Sequence, residues 1–237
     1  MASAVAPSLS GTLQTRVLHL VNGEHFSGAE RVQSHLGRCL PQFDVAADFA
    51  SVKPGKFADL LDEQEGRWGT GHRIEMASRF DLRAAWKVRR LVRENEYHLL
   101  HAHTPRTAMI ASAASRLAGV PWVYHVHSPA ARDSDRWMIN HFNAAIERVS
   151  LIGCSHLITV SNSLREDCIA RGAAADRVTV VPNGVPGIRP ERTQMPVVGG
   201  RWTLGMIALM RPRKGLEVLL QALAKLRGEF DLKLRII

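Results

Sequence analysis

The sequence predicts an α/β fold with a mostly parallel sheet covered by helices on both faces. Three observations predict it. Through residues 16–181, apolar runs of strand length alternate with amphipathic stretches of helical length. Residues 96–128 (EYHLLHAHTPRTAMIASAASRLAGVPWVYHVHS) hold a complete β-α-β unit. The rhythm then breaks at a Pro/Gly-rich segment and restarts once after it.

The first strand is 16–21 (RVLHLV). Asn22 and Gly23 turn the chain, and 26–31 (FSGAER) leads into a helix running to about Leu40. Residues 44–50 (DVAADFA) form a second strand. Residues 53–71 carry Gly55, Gly66, Gly69 and Gly71 and read as an irregular loop, and 73–77 as a short strand. A helix over 82–95 has Ala85, Val88, Leu91 and Val92 on one stripe and Arg83, Lys87, Arg90 and Glu94 opposite. That basic face is either the solvated side of the α/β layer or a contact for anionic lipid.

In the central unit, 98–102 is a strand and Thr104-Pro105 a helix start, with Thr as N-cap and Pro at the first helical position. Gly119 and Pro121 stop that helix, and 122–127 is the next strand. A long amphipathic helix is expected over 135–154, then a strand at 156–160 (HLITV). A capping box from Ser163 to Glu166 opens a helix ending at Gly172, and 178–181 (VTVV) closes the series. Residues 182–201, with four prolines and four glycines, form a linker. Strand 202–209, helix 215–226 and strand 232–237 follow, too little for a core of their own. The expected division is a loose tail (1–15), a first domain (16–181), the linker, and the start of a second domain (202–237).

The net charge is +9, from 31 Lys and Arg against 22 Asp and Glu. The basic residues are scattered, and the few aromatics are not interleaved with them, so a nucleic-acid stacking platform is not expected. Phosphate-bearing small ligands suit this charge better, with an acidic membrane surface as a further candidate. Cys39, Cys154 and Cys168 are far apart and form no metal or redox motif, as suits a reducing compartment. Residues 1–15 lack the charged start and apolar core of a signal peptide, and no run of 18 apolar residues occurs. The expected location is cytoplasmic, including the inner membrane face.

Three places carry chemistry. His101 with His103 closes one strand and His125 with His127 closes the next, and each pair shares a sheet face. Ligands of open parallel sheets bind beyond the carboxyl ends of the strands, so the four histidines form either a polar cleft wall or, in part, interior histidines bonded to backbone. A zinc site is disfavoured, because no Cys, Asp or Glu lies close in sequence to complete either pair. Gly28 sits between the first strand and the first helix, as a simple turn or as a close approach for an anion to free N–H groups. Arg211, Arg213 and Lys214 precede the helix at 215–226, where a helix N-terminus and fixed positive charge favour phosphate over a merely solvated cluster.

SGAER, HAHTPR, VYHVHS, HLITVSNSLRED, VTVVPNGV and RPRKGLEVLLQAL occur in this order and spacing, and with them residues 16–237 resemble the family 4 glycosyltransferases of GT-B fold. The resemblance implies two Rossmann-like domains, the second incomplete here. It implies metal-independent transfer of a sugar from a nucleotide-sugar with retained anomeric configuration, with no cofactor. The acceptor it implies is a glycan, a lipid-linked sugar or a polysaccharide precursor. It aligns His127 with a histidine beside the reacting sugar. Lys214, with Arg211 and Arg213, would meet the donor diphosphate, and the Gly28 loop donor phosphate or acceptor. His103, Arg106 and His125 would lie on the acceptor side. Two departures accompany it. Ala208 and Leu209 stand where the family often has Gly-Arg. The glutamate pair and base pocket of the family's carboxyl-terminal half do not occur, so the chain alone is expected to be inactive. A non-catalytic acceptor-binding module and a nucleotide-sugar epimerase are the competing readings.

Overall fold

The computed structural model describes residues 14–78, 81, 83–128, 151–185, 200–208, 210 and 214–237. The chain divides into two compact units, Met1–Val185 and Pro186–Ile237.

The first unit is a parallel seven-stranded sheet in the order β3-β2-β1-β4-β5-β6-β7. Its elements are β1 (Thr15–Val21), α1 (Gly28–Cys39), a 3-10 turn (Leu40–Phe43), β2 (Val45–Ser51), α2 (Lys56–Glu63), β3 (Gly71–Arg73), α3 (Arg83–Glu94) and β4 (Leu99–Ala102). After these come α4 (Pro105–Ala118), β5 (Trp122–Val126), β6 (His156–Thr159), α5 (Asn162–Ala170) and β7 (Val178–Val180). The expected Rossmann-like class is what the structure shows. The chain winds outward from β1 to β3, returns to β4 beside β1, and winds outward again. This reversal places a crevice between the carboxyl ends of β1 and β4. Register fixes who meets there: His19 pairs with His101, and Leu20 with Ala102.

The two sheet faces are filled differently. One carries a large apolar core in which Leu18, Leu20, Leu100, Trp122 and Tyr124 pack against Val88 of α3 and Ile110 and Ala111 of α4. A fully buried Leu or Phe contributes about 1.5–3 kcal/mol by leaving water, so this face supplies most of the stability. The other face has a smaller cluster, Val21, Phe49, Phe57 and Leu61, and beside it the core positions of β1, β4 and β5 are imidazoles. A sheet that gives up apolar core for polar rings on one face departs from its own pattern, and such departures mark functional sites.

Local chemistry explains the element ends. Thr104, extended, accepts a hydrogen bond from the Thr107 amide at 3.2 Å and starts α4 with Pro105 at its first turn. Gly119 ends α4 in the left-handed region at φ 75°.

Three elements differ from the sequence reading. Residues 53–71 contain α2, whose Phe57, Ala58 and Leu61 form a buried stripe at helical spacing; the surrounding glycines serve its ends, Gly55 as N-cap and Gly66 and Gly69 in the turns after it. The short strand is Gly71–Arg73 rather than 73–77, because Phe49 pairs with Gly71 and sets the register. The N-cap of α5 is Ser161, not Ser163: Ser161 is the extended residue after β6, and its Oγ accepts from the Leu164 amide at 3.3 Å. The expected helix at 135–154 lies outside the described residues as far as 150, and the expected linker as far as 186–199; Cys154 and the three residues before it are turn and coil.

In the second unit, β8 (Trp202–Met206) and β9 (Leu232–Ile236) pair in parallel around α6 (Leu216–Lys225). Val218 is 69% exposed and Leu220 49%.

Candidate functional site

Five imidazoles line the carboxyl ends of β1, β4 and β5 on one face. His19 comes from β1, His101 and His103 from β4 and the residue after it, His125 and His127 from β5 and the residue after it. Strand alternation puts each i,i+2 pair on one side, and the β1–β4 register adds His19 to the row. The rings pack as a continuous array. Centroids are 4.2 Å apart for His101–His103 and for His125–His127, 4.8 Å for His19–His101, and 5.5 Å for His103–His127.

Two ring-to-ring hydrogen bonds run through His103. Its Nε2 is 3.0 Å from Nδ1 of His19, and its Nδ1 is 3.2 Å from Nε2 of His127. Five ring nitrogens in the array are buried without a partner: Nε2 of His19 and of His101, both nitrogens of His125, and Nδ1 of His127. His19, His101, His103 and His125 are buried, whereas His127 is half-buried. The array therefore opens outward through His127.

Burial holds all five rings neutral. Desolvation, helped by His125, pushes His19 down to about 3. Desolvation, with His127 and His101 adding to it, lowers His125 to about 3. His101 and His103 are lowered well below the ordinary value by burial first and by neighbouring imidazoles second. His127 falls to about 4 by desolvation, partly opposed by the carboxylate of Glu30. A neutral imidazole offers one donor and one acceptor, which suits a hydroxyl ligand or a metal ion.

Polar groups surround the mouth of the array. Thr104 Oγ1 donates to Asn22 Oδ1 at 3.2 Å and ties the end of β4 to the end of β1. Glu24 takes a hydrogen bond from Lys53 Nζ at 2.6 Å, which holds its carboxyl below the ordinary range; desolvation opposes this, and the Arg106 charge adds to it. The Nε of Arg106, in the first turn of α4, is buried without a partner. Gly28 is the first residue of α1; its φ is not in the left-handed region and open space lies where a side chain would go. Glu30 Oε2 accepts from the Ser27 amide at 3.0 Å and from Ser27 Oγ at 2.6 Å, closing this N-terminus.

The structure thus brings His103, His125, His127, Arg106 and the Gly28 loop to the carboxyl edge of one sheet. Lys214 belongs to the second unit, exposed, next to Gly215, the left-handed N-cap of α6. Arg211 and Arg213 lie outside the described residues. Sequence reasoning missed His19 and Glu30. The signal for His19 was a polar residue in the middle of an otherwise apolar strand, RVLHLV. That for Glu30 was its place three residues after Ser27 at a helix start.

The sequence profile described as Glycosyltransferase Family 4 matches residues 26–186. The UDP-Gal:alpha-D-GlcNAc-diphosphoundecaprenol alpha-1,3-galactosyltransferase of Escherichia coli is 26% identical over 175 residues, covering 72% of this chain and 45% of that protein. Among solved structures, Anabaena Alr3699/HepE in complex with UDP superposes with a TM-score of 0.72 at 21% identity, over 93% of this chain and 60% of the other. The lipopolysaccharide outer core galactosyltransferase WaaB, apo form, gives 0.66 at 14% identity, over 94% and 60%. These two likenesses establish the shared fold. This chain spans less than half the length of the Escherichia coli relative. The profile covers more than half of the chain, including the whole imidazole array beyond His19, and the protein belongs to glycosyltransferase family 4.

Proposed function

We infer that the protein takes part in transfer of a sugar from a nucleotide-sugar, a uridine diphosphate sugar in the first instance, to a sugar acceptor carried on a lipid diphosphate or a growing glycan. The observation that carries the reading is the imidazole array at the β1–β4 crevice of a family 4 chain, with half-buried His127 at its open end. Such a ring can hydrogen-bond a hydroxyl of the sugar or of the acceptor. The Escherichia coli relative is named for a UDP-galactose donor and a diphosphoundecaprenol-linked acceptor, and HepE was crystallised with UDP, which supports these two substrate classes.

In this reading the acceptor oxygen bonds to the anomeric carbon as that carbon's bond to the donor phosphate oxygen breaks. The acceptor proton passes to the departing diphosphate, and the configuration is retained without a metal. Lys214, with Arg211 and Arg213, stabilises the charge that grows on the diphosphate. The turn at Gly28, with open space in place of a side chain, receives phosphate or acceptor beside the Ser27–Glu30 cap. His103 and His125 are 3% and 4% exposed, so they act behind His127 by holding its ring, while Arg106 faces the acceptor side. A lipid-linked acceptor also requires approach to a membrane. The outer face of α3, with Trp86 58% exposed beside Lys87 and Arg90, suits peripheral contact with acidic headgroups. No helix among the described residues is long and apolar enough to cross a membrane.

The test is titration of the chain with UDP, UDP-glucose and UDP-galactose by calorimetry, with transfer to a synthetic lipid-diphosphate acceptor, in a version that carries a complete second domain, followed by chromatography. Saturable binding or transfer that fails in His127→Ala and Lys214→Ala supports the reading. Turnover unchanged in both variants overturns it.

A further inference from the structure

We propose that His103, His125 and His127 form a site for a borderline divalent transition-metal ion of the zinc type, at the same imidazole array that the proposed function assigns to the sugar or acceptor. Three histidines supplying one nitrogen each is an established ligand set for such an ion, and neutral imidazole nitrogens select it over calcium or magnesium.

The geometry gathers the three residues and spaces two of them for one ion. The candidate ligand nitrogens of the three residues all lie within 4.8 Å of one another. Nδ1 of His103 and Nε2 of His127 are 3.2 Å apart. Two imidazole nitrogens on a tetrahedral ion, each at about 2.0–2.1 Å from it, are separated by roughly 3.3 Å, so the pair is already spaced for one ion. His125 is 4% exposed and has no partner on either ring nitrogen, which leaves it one nitrogen to give. Buried polar atoms without partners are rare in folded proteins, and a bound ion accounts for one here.

The surroundings hold the first ligand in place. A metal-binding histidine ordinarily donates its other ring N–H to a fixed acceptor. With His103 bound through Nδ1, its Nε2–H donates to Nδ1 of His19 at 3.0 Å. His127 then carries its proton on Nδ1 and gives the Nε2 lone pair to the ion. A second three-histidine set, His19, His101 and His103, has nitrogens equally close, but all three residues are buried. The outer set is the one an ion can reach, because half-buried His127 is at its edge, and that exposure leaves the fourth coordination position to water.

The experiment is a cobalt(II) titration of the metal-stripped 237-residue chain, read by visible absorption. A parallel melting series uses zinc(II). The expected result is a ligand-field band that saturates at about one equivalent of cobalt, is displaced by zinc, and has the intensity of a four- or five-coordinate site. His127→Asn, at a half-buried position, should weaken binding by more than about tenfold and remove the zinc-dependent rise in melting temperature. His125→Phe should do the same. His25→Asn, at an exposed histidine outside the array, should bind like the parent. Circular dichroism reports whether each variant is folded; if His125→Phe is not, His127→Asn decides. The proposal is overturned if no saturable band forms, or if binding survives His127→Asn. It is also overturned if binding disappears in His25→Asn, which would assign the ion to surface histidines.

Discussion

His103 Nε2 stands 3.0 Å from His19 Nδ1, across the place where the strand order reverses. The contact joins two rings that burial keeps neutral, and it sets a direction for pH dependence. In the folded chain His19 and His125 titrate near 3 and His127 near 4, below the ordinary value of 6.5. Between those values the unfolded chain binds protons that the folded chain refuses. Stability is therefore full above about pH 6.5 and falls as the pH drops toward 4. At pH 5 the loss is about 2 kcal/mol for a histidine titrating near 3, such as His19. Urea unfolding in chelator-containing buffer at pH 7.5, 6 and 5 should show a falling midpoint. A midpoint that holds or rises on acidification refutes the neutral array.

The array should also separate folding from function. His103 is 3% exposed and hydrogen-bonds to rings on both sides, so His103→Ala leaves a cavity and unpartnered nitrogens. It should cost about 2–4 kcal/mol of stability. His127 is half-buried at the edge. His127→Ala should cost about 1 kcal/mol or less but, in a version that carries a complete second domain, lower transfer kcat/KM by more than about tenfold. Melts and kinetics on the same pair of variants check this. The reverse ranking would make His127 a core residue and remove it from the proposed site.

Much of the crevice is legible in the sequence because strand periodicity is strict. HAH and HVH each place two imidazoles on one face whatever the fold around them. What periodicity leaves open is which strand lies beside which. The third imidazole-bearing strand is β1, 80 or more residues away in sequence, and it reaches β4 only through the 3-2-1-4 order. A search for a further ligand near each pair in sequence therefore finds none, whereas the pairing of β4 with β5 lets the two histidine pairs complete each other and the β1–β4 register sets His19 behind His103. The helix α2 is hidden for a different reason. Its stripe of Phe57, Ala58 and Leu61 spans little more than one turn, and the glycines around it carry stronger local signals than so short a pattern.

Two glycines near the site should respond in opposite ways. Gly23 has φ 94°, and a side chain there would collide with the Lys53 carbonyl. Its own carbonyl accepts from the Phe57 and Ala58 amides at 2.9 and 3.1 Å, which docks α2. Gly23→Ala should cost more than about 2 kcal/mol. Gly28 has open space and ordinary helical geometry, so Gly28→Ala should be neutral or stabilising by up to about 1 kcal/mol. If its bare backbone receives a phosphate, the same substitution should weaken UDP-sugar binding. Chemical denaturation and calorimetry on the two variants separate these effects. Equal destabilisation would mean that the Gly28 turn is purely structural.

Lys214 tests the proposed role of the second unit. It is exposed beside Gly215, whose left-handed backbone at φ 71° starts α6, and neither residue is held by an apolar core. Truncating an exposed lysine at such a place should leave stability within about 0.5 kcal/mol. A group that stabilises the charge on a departing diphosphate has a different signature, because the charge exists only as the bond breaks. In a version that carries a complete second domain, Lys214→Ala should therefore lower transfer kcat/KM by roughly 2–4 kcal/mol of transition-state stabilisation, with the loss mainly in kcat. Lys87→Ala, on the exposed face of α3, is the matched comparison, since it removes the same charge from a side chain whose Nζ reaches the Glu75 carbonyl. With a water-soluble acceptor, so that membrane contact plays no part, Lys87→Ala should turn over like the parent. Equal losses in the two variants would point to net charge alone, and an unchanged Lys214→Ala would place the diphosphate elsewhere.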